Sequence, residues 1–409
     1  MRSILNRSLF SLSFVACMVV VSTASAGESI FGFSYFGEST RSYDARIEGR
    51  GGMGLAYRDS VNANVLQATQ LADLSYVTIG LSNTFARRTS EDPSGSITRL
   101  GLDTPAVRMG FPLFGRGGLG LGFSARRSTR WSLVRQAEVD DTVIEVIDRS
   151  GTLFDIPVQI AWRFGDKLVA GAGMHVLRGN VRMDYLLDLE VGTDPTDTRE
   201  DIYSGTAPEL SLAIHDVGPL SVAGYWVGSF DADVDVRQRG VALEDRTEES
   251  RTDTMPARIG VGARIDLPGD WSTGVDFRTE QWGSYEGRSF TYTDGIFDPD
   301  GTAVGLQDEV EWRWGLEREA RPLGFRATTP LRVGAYWKRW HYQLQGEDVT
   351  EWGVTLGSGV ALRAGSARAD LSIGYSRIGN LDDNGASEDV FRATLSIAGG
   401  ERWYGSTRR

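Results

Sequence analysis

Cysteine is nearly absent from this chain, and long apolar runs are missing from most of it. The one cysteine among the 409 residues is Cys17. It lies inside an N-terminal export signal, so we expect no disulfide bond in the exported chain. Beyond that signal, no segment approaches the roughly 20 consecutive apolar residues that a membrane-spanning helix needs. A membrane β-barrel is not excluded, because only every second residue of its strands must be apolar.

Clustered metal ligands and an excess of positive charge are also lacking. The three histidines, His175, His215 and His341, are far apart in sequence and lack the spacing of zinc or iron ligands. No recognisable set of serine, histidine and carboxylate suggests a hydrolase. The net charge of -12 argues against nucleic acid as a partner. We therefore predict no metal, no cofactor, no nucleic-acid partner and no enzymatic activity.

Residues 1–26 have the composition of a secretory signal peptide. Arg2 and Arg7 precede an apolar stretch, and Ala24-Ser25-Ala26 forms a small-residue cleavage site before Gly27. The stretch is too short to span a bilayer. A lipoprotein cleavage site before Cys17 is an alternative, but it would leave apolar residues after the cut. We predict signal-peptide export, with the exported chain beginning at residue 27.

From Leu74 onward the chain repeats segments of about ten residues that alternate apolar and polar side chains. In the segment 367–376, for example, Leu371, Ile373 and Tyr375 alternate with charged or small residues. Because strand side chains point to opposite faces with a period of two, such a segment separates an apolar face from a polar one. The pattern predicts strands near 75–87, 103–113, 117–135, 151–164, 167–187, 204–216, 218–236, 254–266, 270–284, 308–317, 329–345, 350–364, 366–378 and 388–400.

The connections between these strands alternate in length. Most connections after odd strands are long and acidic, such as 136–150, 188–203, 237–253 and 285–307, whereas most after even strands are short turns. Outer-membrane barrels have long outer loops and short periplasmic turns. We therefore predict an all-β transmembrane antiparallel β-barrel of about 14 strands over residues 74–403, with a C-terminal tail at 404–409. A soluble β-propeller or sandwich is the alternative, but aromatic residues near the strand ends favour the membrane barrel.

Residues 27–73 form a separate, glycine-rich segment without sustained alternation. Asp59 and Ser60 are placed to cap a short helix that runs to about Leu71. The segment resembles the start of the FadL/TodX-type outer-membrane transporters of hydrophobic compounds, a family that in the broad sense includes PorV-like barrels. The residues that match the family's hatch motif are Gly51, Gly52, Gly54, Ala56, Asp59, Leu71 and Ala72. Gln67-Ala68-Thr69 replaces the Asn-Pro-Ala motif of the family.

This resemblance implies that residues 27–73 form a hatch in the barrel lumen. It also implies transport of a hydrophobic small-molecule ligand, such as a long-chain fatty acid or a hydrocarbon. Outer loops would capture the ligand, which would pass the hatch and leave sideways into the membrane. Charged side chains of the lumen could anchor a carboxylate, hold the hatch, or only pack as salt bridges. These candidates are Arg108, Arg163, Arg264, Asp276, Arg278, Glu280, Arg332, Lys338, Arg368 and Asp370.

The expected location is the outer membrane of a diderm bacterium. The expected partners are outer-membrane lipid, the transported ligand and the outer-membrane assembly machinery; no oligomeric state is predicted. One alternative is a FadL-like barrel that acts in protein secretion or surface attachment, like PorV, because long acidic loops would also suit a protein partner. A second alternative is a structural or general porin, against which a hatch in the lumen argues.

Overall fold

The computed structural model describes most of the chain beyond its N-terminus. The predicted signal peptide at 1–26 and the tail at 404–409 lie outside the described residues. Among the described residues, no helix is both long enough and apolar enough to cross a membrane. The described residues are 29–33, 36–41, 43–103, 106–136, 144–188, 196–240, 248–287, 291–293, 296–298, 306–319, 322–323, 326–327, 329–362 and 366–402.

The described residues are mainly β-strands with a few short helices. The α-helices are α1, Ala45–Glu48, and α2, Leu381–Asn384, and 3-10 helices cover Ile30–Phe33, Ala68–Asp73 and Trp282–Ser284. The strands are β1 Glu38–Ser39, β2 Val77–Asp92, β3 Gly95–Leu102, β4 Ala106–Leu113, β5 Gly117–Gln136, β6 Ile144–Phe164, β7 Leu168–Asp188, β8 Thr196–Val217, β9 Leu220–Val227, β10 Phe230–Arg239, β11 Glu248–Met255, β12 Arg258–Leu267, β13 Trp271–Glu280, β14 Thr291–Thr293, β15 Ile296–Asp298, β16 Glu309–Arg318, β17 Pro322–Leu323, β18 Arg326–Ala327, β19 Leu331–Leu344, β20 Glu347–Leu362, β21 Ala367–Ile378 and β22 Ser387–Glu401.

Strands β2–β13, β16 and β19–β22 form one closed antiparallel barrel of 14 strands, whereas β14 with β15 and β17 with β18 form two separate two-stranded sheets. Three barrel strands are each interrupted and consist of two segments, namely β3 with β4, β9 with β10, and β11 with β12. The barrel closes where β2 pairs with β22, from Val77 opposite Glu401 to Glu91 opposite Ser387. The predicted barrel of about 14 strands is thereby confirmed.

The alternation of side chains separates the two faces of the barrel wall. On β21, Leu371 and Ile373 are 52% and 42% exposed, whereas the alternate residues Asp370 and Ser372 are 4% and 3% exposed. The same alternation on the other barrel strands gives the outside a continuous apolar belt. Such a belt would be unfavourable in water but suits the hydrocarbon core of a bilayer. We therefore treat the barrel as a membrane-spanning one.

Strands β5 to β8 are longer than a bilayer requires. Each contains 20 to 22 residues, and at about 3.3 Å per residue such a strand extends well past a hydrocarbon core of about 30 Å. The prediction that 144–150, 196–203 and 248–253 belong to loops is wrong, because these residues continue strands β6, β8 and β11. Acidic residues had obscured their alternation.

Pairing between the second and third barrel strands stops partway along the wall. Strand β4 pairs with β5 as far as Val107 opposite Phe123. Beyond that point the described pairing of β3 is with β2, and the free edge of β5 pairs with the short strand β1. We call this region between β3 and the distal part of β5 the wall break. It lies at the level of the apolar belt, because Phe85, Leu102 and Phe123 at its border face outward and are 42%, 40% and 38% exposed.

The described residues between 29 and 73, here called the N-terminal segment, are mostly buried. The predicted helix from Asp59 to Leu71 is wrong. Asp59 does accept hydrogen bonds from the backbone N–H groups of Val61 and Asn62, but the chain then follows turns up to the 3-10 helix at Ala68–Asp73. The α-helical turn lies earlier, in α1, where Asp44 caps Ile47 N–H at 2.8 Å.

Candidate functional site

The glycines of the N-terminal segment permit close contact with the barrel wall. Gly51 and Gly52 have φ angles of +70° and +81°, which favour glycine because a Cβ atom would be strained there. A Cβ atom on Gly51 would also lie 2.7 Å from the carbonyl oxygen of Ala335 on β19. The sequence Gly51-Gly52 therefore places the backbone directly against the inner surface of the barrel.

Backbone groups of this glycine loop bind charged side chains of the lumen. The N–H groups of Gly54 and Leu55 donate to the Asp276 carboxylate at 2.8 and 3.1 Å. Arg278 donates to the carbonyl oxygen of Gly52 at 2.8 Å. Because this carboxylate and this guanidinium bind main-chain atoms, they fix the course of the loop and not only its side chains.

A buried carboxylate, Glu317 on β16, connects the N-terminal segment to the wall. It is fully buried and accepts from Arg46 at 3.0 Å, from Arg50 at 2.7 Å and from Arg332 at 2.7 Å. Arg46 and Arg50 belong to the N-terminal segment, whereas Arg332 lies on β19. A buried ion pair of this kind is costly to break from one side, because it leaves an uncompensated charge.

Asp59 provides a second ionic connection to the wall. Its carboxylate accepts from Arg46 at 3.0 Å and from Arg368 on β21 at 2.8 Å. Burial by itself raises the pKa of Asp59, but the guanidinium groups of Arg368 and Arg46 outweigh burial and leave the pKa below its ordinary value. Asp59 is therefore ionised at neutral pH. Arg368 also contacts Asp370, which in turn accepts from Arg332 at 2.8 Å.

At the other end of the N-terminal segment, Leu71 and Ala72 pack against the beginning of β5 and its neighbours. Leu71 is fully buried, and its side chain occupies the space beside Gly120, where a Cβ atom would lie 2.6 Å from the Leu71 side chain. Arg163 donates to the Asp73 carboxylate. The strand sequence of alternating glycine and leucine in β5 thus makes room for the segment.

The residues that replace the family motif Asn-Pro-Ala hold two parts of the N-terminal segment together. Gln67 donates through its side-chain amide to the carbonyl oxygen of Leu55. The N–H group of Ala68 donates to the Glu209 carboxylate on β8 at 2.8 Å. Gln67 therefore supplies a side-chain cross-link between the glycine loop and the end of the N-terminal segment.

An internal cavity of about 170 Å³ lies between the N-terminal segment and the wall. Its lining contains six arginines and four carboxylates, with His175 and a smaller number of apolar residues. His175 lies between Asp155 and Glu209, with ring nitrogens 2.8 and 3.0 Å from their carboxylate oxygens. Within the described residues, no group of three histidine, cysteine or acidic side chains is arranged to hold a metal ion. The hydrogen bonds to Asp155 and Glu209 therefore explain why His175 lies in this lining.

A second cavity of about 10 Å³, which is the space for about one water molecule, adjoins the wall break. It is lined by Ser82 on β2 and by Asp103 and Ala106 at the interruption between β3 and β4. Thr40, Arg41, Tyr43 and Ala125 line both this cavity and the larger one. Thr40, Arg41 and Tyr43 of the N-terminal segment therefore lie between the internal cavity and the wall break.

The first residues of the N-terminal segment belong to an aromatic cluster near the outer end of the barrel. Phe36 lies 5.2 Å from Tyr203, 5.5 Å from Trp282 and 5.6 Å from Tyr285, measured between ring centroids. Phe31, 6.1 Å from Trp340, belongs to the same hydrophobic core. Sequence reasoning missed this cluster, although the four aromatic residues at 31–36 were a signal that this stretch is buried.

The ten predicted lumenal charges are distributed over the inner surface. Six of them contact the N-terminal segment directly. Lys338 contacts Ser39 and also Glu309, and Arg264 lies over the Tyr57 ring; the remaining contacts, those of Arg163, Asp276, Arg278 and Arg368, are given above. Arg332 and Asp370 are connected to the N-terminal segment through Glu317 and Arg368, respectively. Glu280 binds Arg127 on β5 at 2.8 Å, and Arg108 lines the internal cavity. The proposed roles of these charges and of the hatch motif remain predictions.

The geometry defines a membrane-type β-barrel with an internal cavity, and solved structures share this fold. The sequence itself matches no family model and no curated protein. A FadL homologue from Pseudomonas aeruginosa has a TM-score of 0.63 at 11% identity, with 90% of this chain and 99% of that chain covered. The toluene transporter TodX from Pseudomonas putida has a TM-score of 0.60 at 14% identity, with 88% and 98% covered. The toluene transporter TbuX from Ralstonia pickettii has a TM-score of 0.56 at 12% identity, with 88% and 98% covered. The fold of FadL/TodX-type barrels, expected from the resemblance, is therefore confirmed.

Proposed function

We propose that this protein is an outer-membrane channel that takes up small compounds with a hydrophobic body and releases them sideways into the membrane. The observation that carries this proposal is the pair of adjoining cavities, one inside the barrel and one at the wall break. Thr40, Arg41 and Tyr43 lie between them. An internal binding space beside an interruption of strand pairing at the level of the apolar belt suits a compound whose destination is lipid.

The physical reason for a sideways route is the solvation of the cargo. An apolar compound gains about 0.8 kcal/mol for each methylene group that leaves water, so a water-filled pore across the whole membrane would not favour its passage. Long-chain fatty acids and hydrocarbons, expected from the resemblance, belong to this class of cargo. The toluene transporters TodX and TbuX share the fold and support the same class.

Strand β1 is the part of the N-terminal segment that would have to move. It pairs with the free edge of β5, with Glu38 opposite Ser128 and Ser39 opposite Arg127. Glu38 also accepts from Arg88 on β2 at 2.7 Å, and β2 pairs with β3, so β1 connects β5 to the β2–β3 pair across the wall break. Release of β1 would join the internal cavity to the wall break.

An engineered disulfide bond between β1 and β5 tests whether β1 must move, because the exported chain is expected to contain no cysteine of its own. Paired residues of antiparallel strands have Cα atoms about 4.5–5.5 Å apart, within the range that a disulfide spans. Glu38→Cys combined with Ser128→Cys should therefore fasten β1 to β5 on oxidation. We expect oxidation to abolish the uptake of labelled toluene and palmitate by diderm cells that express the variant, and reduction to restore it.

Each single-cysteine variant is the matched control and should be insensitive to the oxidant. Disulfide formation is checked by the change in electrophoretic mobility of the protein before and after reduction. If the cross-linked protein takes up both compounds at the rate of the reduced one, release past β1 is wrong. If cells with and without the protein take up both compounds equally, the transport proposal fails.

A further inference from the structure

The lining of the internal cavity is too polar for a pure hydrocarbon. Six guanidinium groups and four carboxylates surround the space, although the whole chain carries a net charge of -12. A hydrocarbon in this space would remove water from ionic groups without replacing their hydrogen bonds, which is unfavourable. The excess of guanidinium groups favours a cargo that carries an anionic group of its own.

Arg41 is the arginine of this lining that also lines the small cavity at the wall break, and we consider it as the group that receives this anion. Its side chain is only 10% exposed, and its nearest carboxylates, Glu48 and Glu351, lie 3.7 and 3.8 Å away, beyond hydrogen-bonding distance. Nη2 of Arg41 is buried and has no hydrogen-bond partner among the described residues. A buried donor without a partner is costly, so an acceptor that reaches Nη2 after a small movement of the Arg41 side chain would stabilise it.

The orientation of Arg41 suits a carboxylate. Its guanidinium lies over the Tyr336 ring, 3.5 Å from the ring centroid. Stacking occupies the face of the planar group and leaves its edge, where the N–H donors lie, for a coplanar acceptor. A carboxylate is the acceptor that matches two parallel guanidinium donors.

The size of the cavity limits the rest of the cargo. An engineered apolar cavity of about 150 Å³ binds benzene, so the volume of about 170 Å³ here corresponds to one ring with a small substituent. Val65, Leu66 and Val227 supply apolar contacts in the lining. A long acyl chain would have to extend out of this space.

We propose that the cargo is a compact cyclic monocarboxylate, whose ring contacts the apolar part of the lining and whose carboxylate binds Arg41. This inference rests on the transport function proposed above and narrows it to one class of compound. Because Arg41 also lines the small cavity at the wall break, the bound carboxylate lies beside the exit. The ring-sized carboxylate is thereby distinguished from both toluene and long-chain fatty acids.

Equilibrium binding of labelled benzoate to the purified full-length protein tests the proposal. We expect saturable binding, and an increase in Kd of about tenfold or more for Arg41→Met, as for the loss of a hydrogen bond to a charged group. Arg41→Lys keeps the charge without the forked donors and should restore part of the affinity. Benzamide, the neutral analogue, should bind weakly and equally to the original protein and to Arg41→Met.

Arg116→Met, in the exposed turn between β4 and β5, is the matched control and should leave the Kd of benzoate unchanged. An unchanged Kd in Arg41→Met, or tighter binding of toluene or palmitate than of benzoate, would overturn the proposal. Uptake by cells distinguishes a failure of the proposed cargo from a failure of the proposed transport function. If toluene uptake depends on the protein while benzoate neither binds nor competes, transport stands and this inference fails; if the protein accelerates the uptake of none of these compounds, both fail.

Discussion

Removal of the Glu317 carboxylate should release the N-terminal segment from the barrel lumen. Glu317→Ala leaves Arg46 with Asp59 and Arg332 with Asp370 as remaining partners. Arg50 contacts Glu317 at 2.7 Å and has no second carboxylate within ion-pair distance among the described residues. One guanidinium that is only 2% exposed is therefore left without its counter-charge.

The magnitude follows from this single loss. Breaking a buried ion pair from one side costs about 3–5 kcal/mol, and we take the lower value because two of the three arginines keep a partner. A change of about 3 kcal/mol corresponds to a rise of roughly 150-fold in the population whose N-terminal segment has left its position, at about 1.4 kcal/mol per factor of ten. Glu317→Gln retains one acceptor oxygen and should have a smaller effect.

Conductance in planar bilayers measures that population. A variant that lacks residues 27–73 is the open reference, because we expect deletion of the predicted hatch to open a conductance. Glu317→Ala should show openings toward that level far more often than the original protein, whereas Glu347→Ala, an exposed residue at the start of β20, should not. If the deletion variant conducts and Glu317→Ala stays as closed as the original protein, the ionic attachment at Glu317 does not hold the segment.

Three further predictions concern the same contacts and the outer face of the wall. Gly51→Val should loosen the glycine loop for two reasons: its Cβ atom would lie 2.7 Å from the carbonyl oxygen of Ala335, and valine is strained at a φ of +70°. A protease should then cleave the N-terminal segment faster than in the original protein, and unchanged cleavage would contradict the prediction. The folded-state pKa of Asp59 is depressed, so the stabilisation that its carboxylate provides is present above the unfolded pKa of about 3.9 and is lost only as pH falls through the folded pKa. The closed state in bilayers should therefore be independent of Asp59 titration between about pH 8 and 5. A loss of closure near pH 6 that Asp59→Asn abolishes would refute this. Ile373→Arg on the outer face should destabilise the barrel in lipid by about 2–4 kcal/mol if the residue lies near the bilayer midplane, relative to Ile373→Ala, and reversible unfolding in vesicles measures the difference.

Most of the wall could be predicted from the sequence because its signal is local. The period of two in β21 identifies the strand and also assigns Leu371 and Ile373 to the outside, as the exposed fractions confirm. The ends of strands β6, β8 and β11 were wrong because acidic residues lie on both faces of the wall there. Asp148 and Glu249 are exposed, whereas Asp201 and Asp253 are buried. Alternation then no longer separates apolar from polar residues, although the strand continues.

The N-terminal segment was harder to predict because its conformation depends on distant partners. The helix expected after Asp59 is absent because Gln67 and Gln70 donate their side-chain amides to the carbonyl oxygens of Leu55 and Gly54. These bonds favour turns over a continuous helix. The glycines at 51 and 52 were recognisable in the sequence, but the strand that they approach was not.

The sequence by itself determined the number of barrel strands and the solvent on each face of the wall, because alternation and loop length act between neighbouring residues. Only the tertiary structure decided which lumenal charges meet, since Arg50 and Glu317 are 267 positions apart and no pattern in the chain pairs them. The internal cavity and the wall break depend in the same way on where a buried segment lies against the strands. These features therefore follow from packing and charge in three dimensions, which a one-dimensional pattern does not contain.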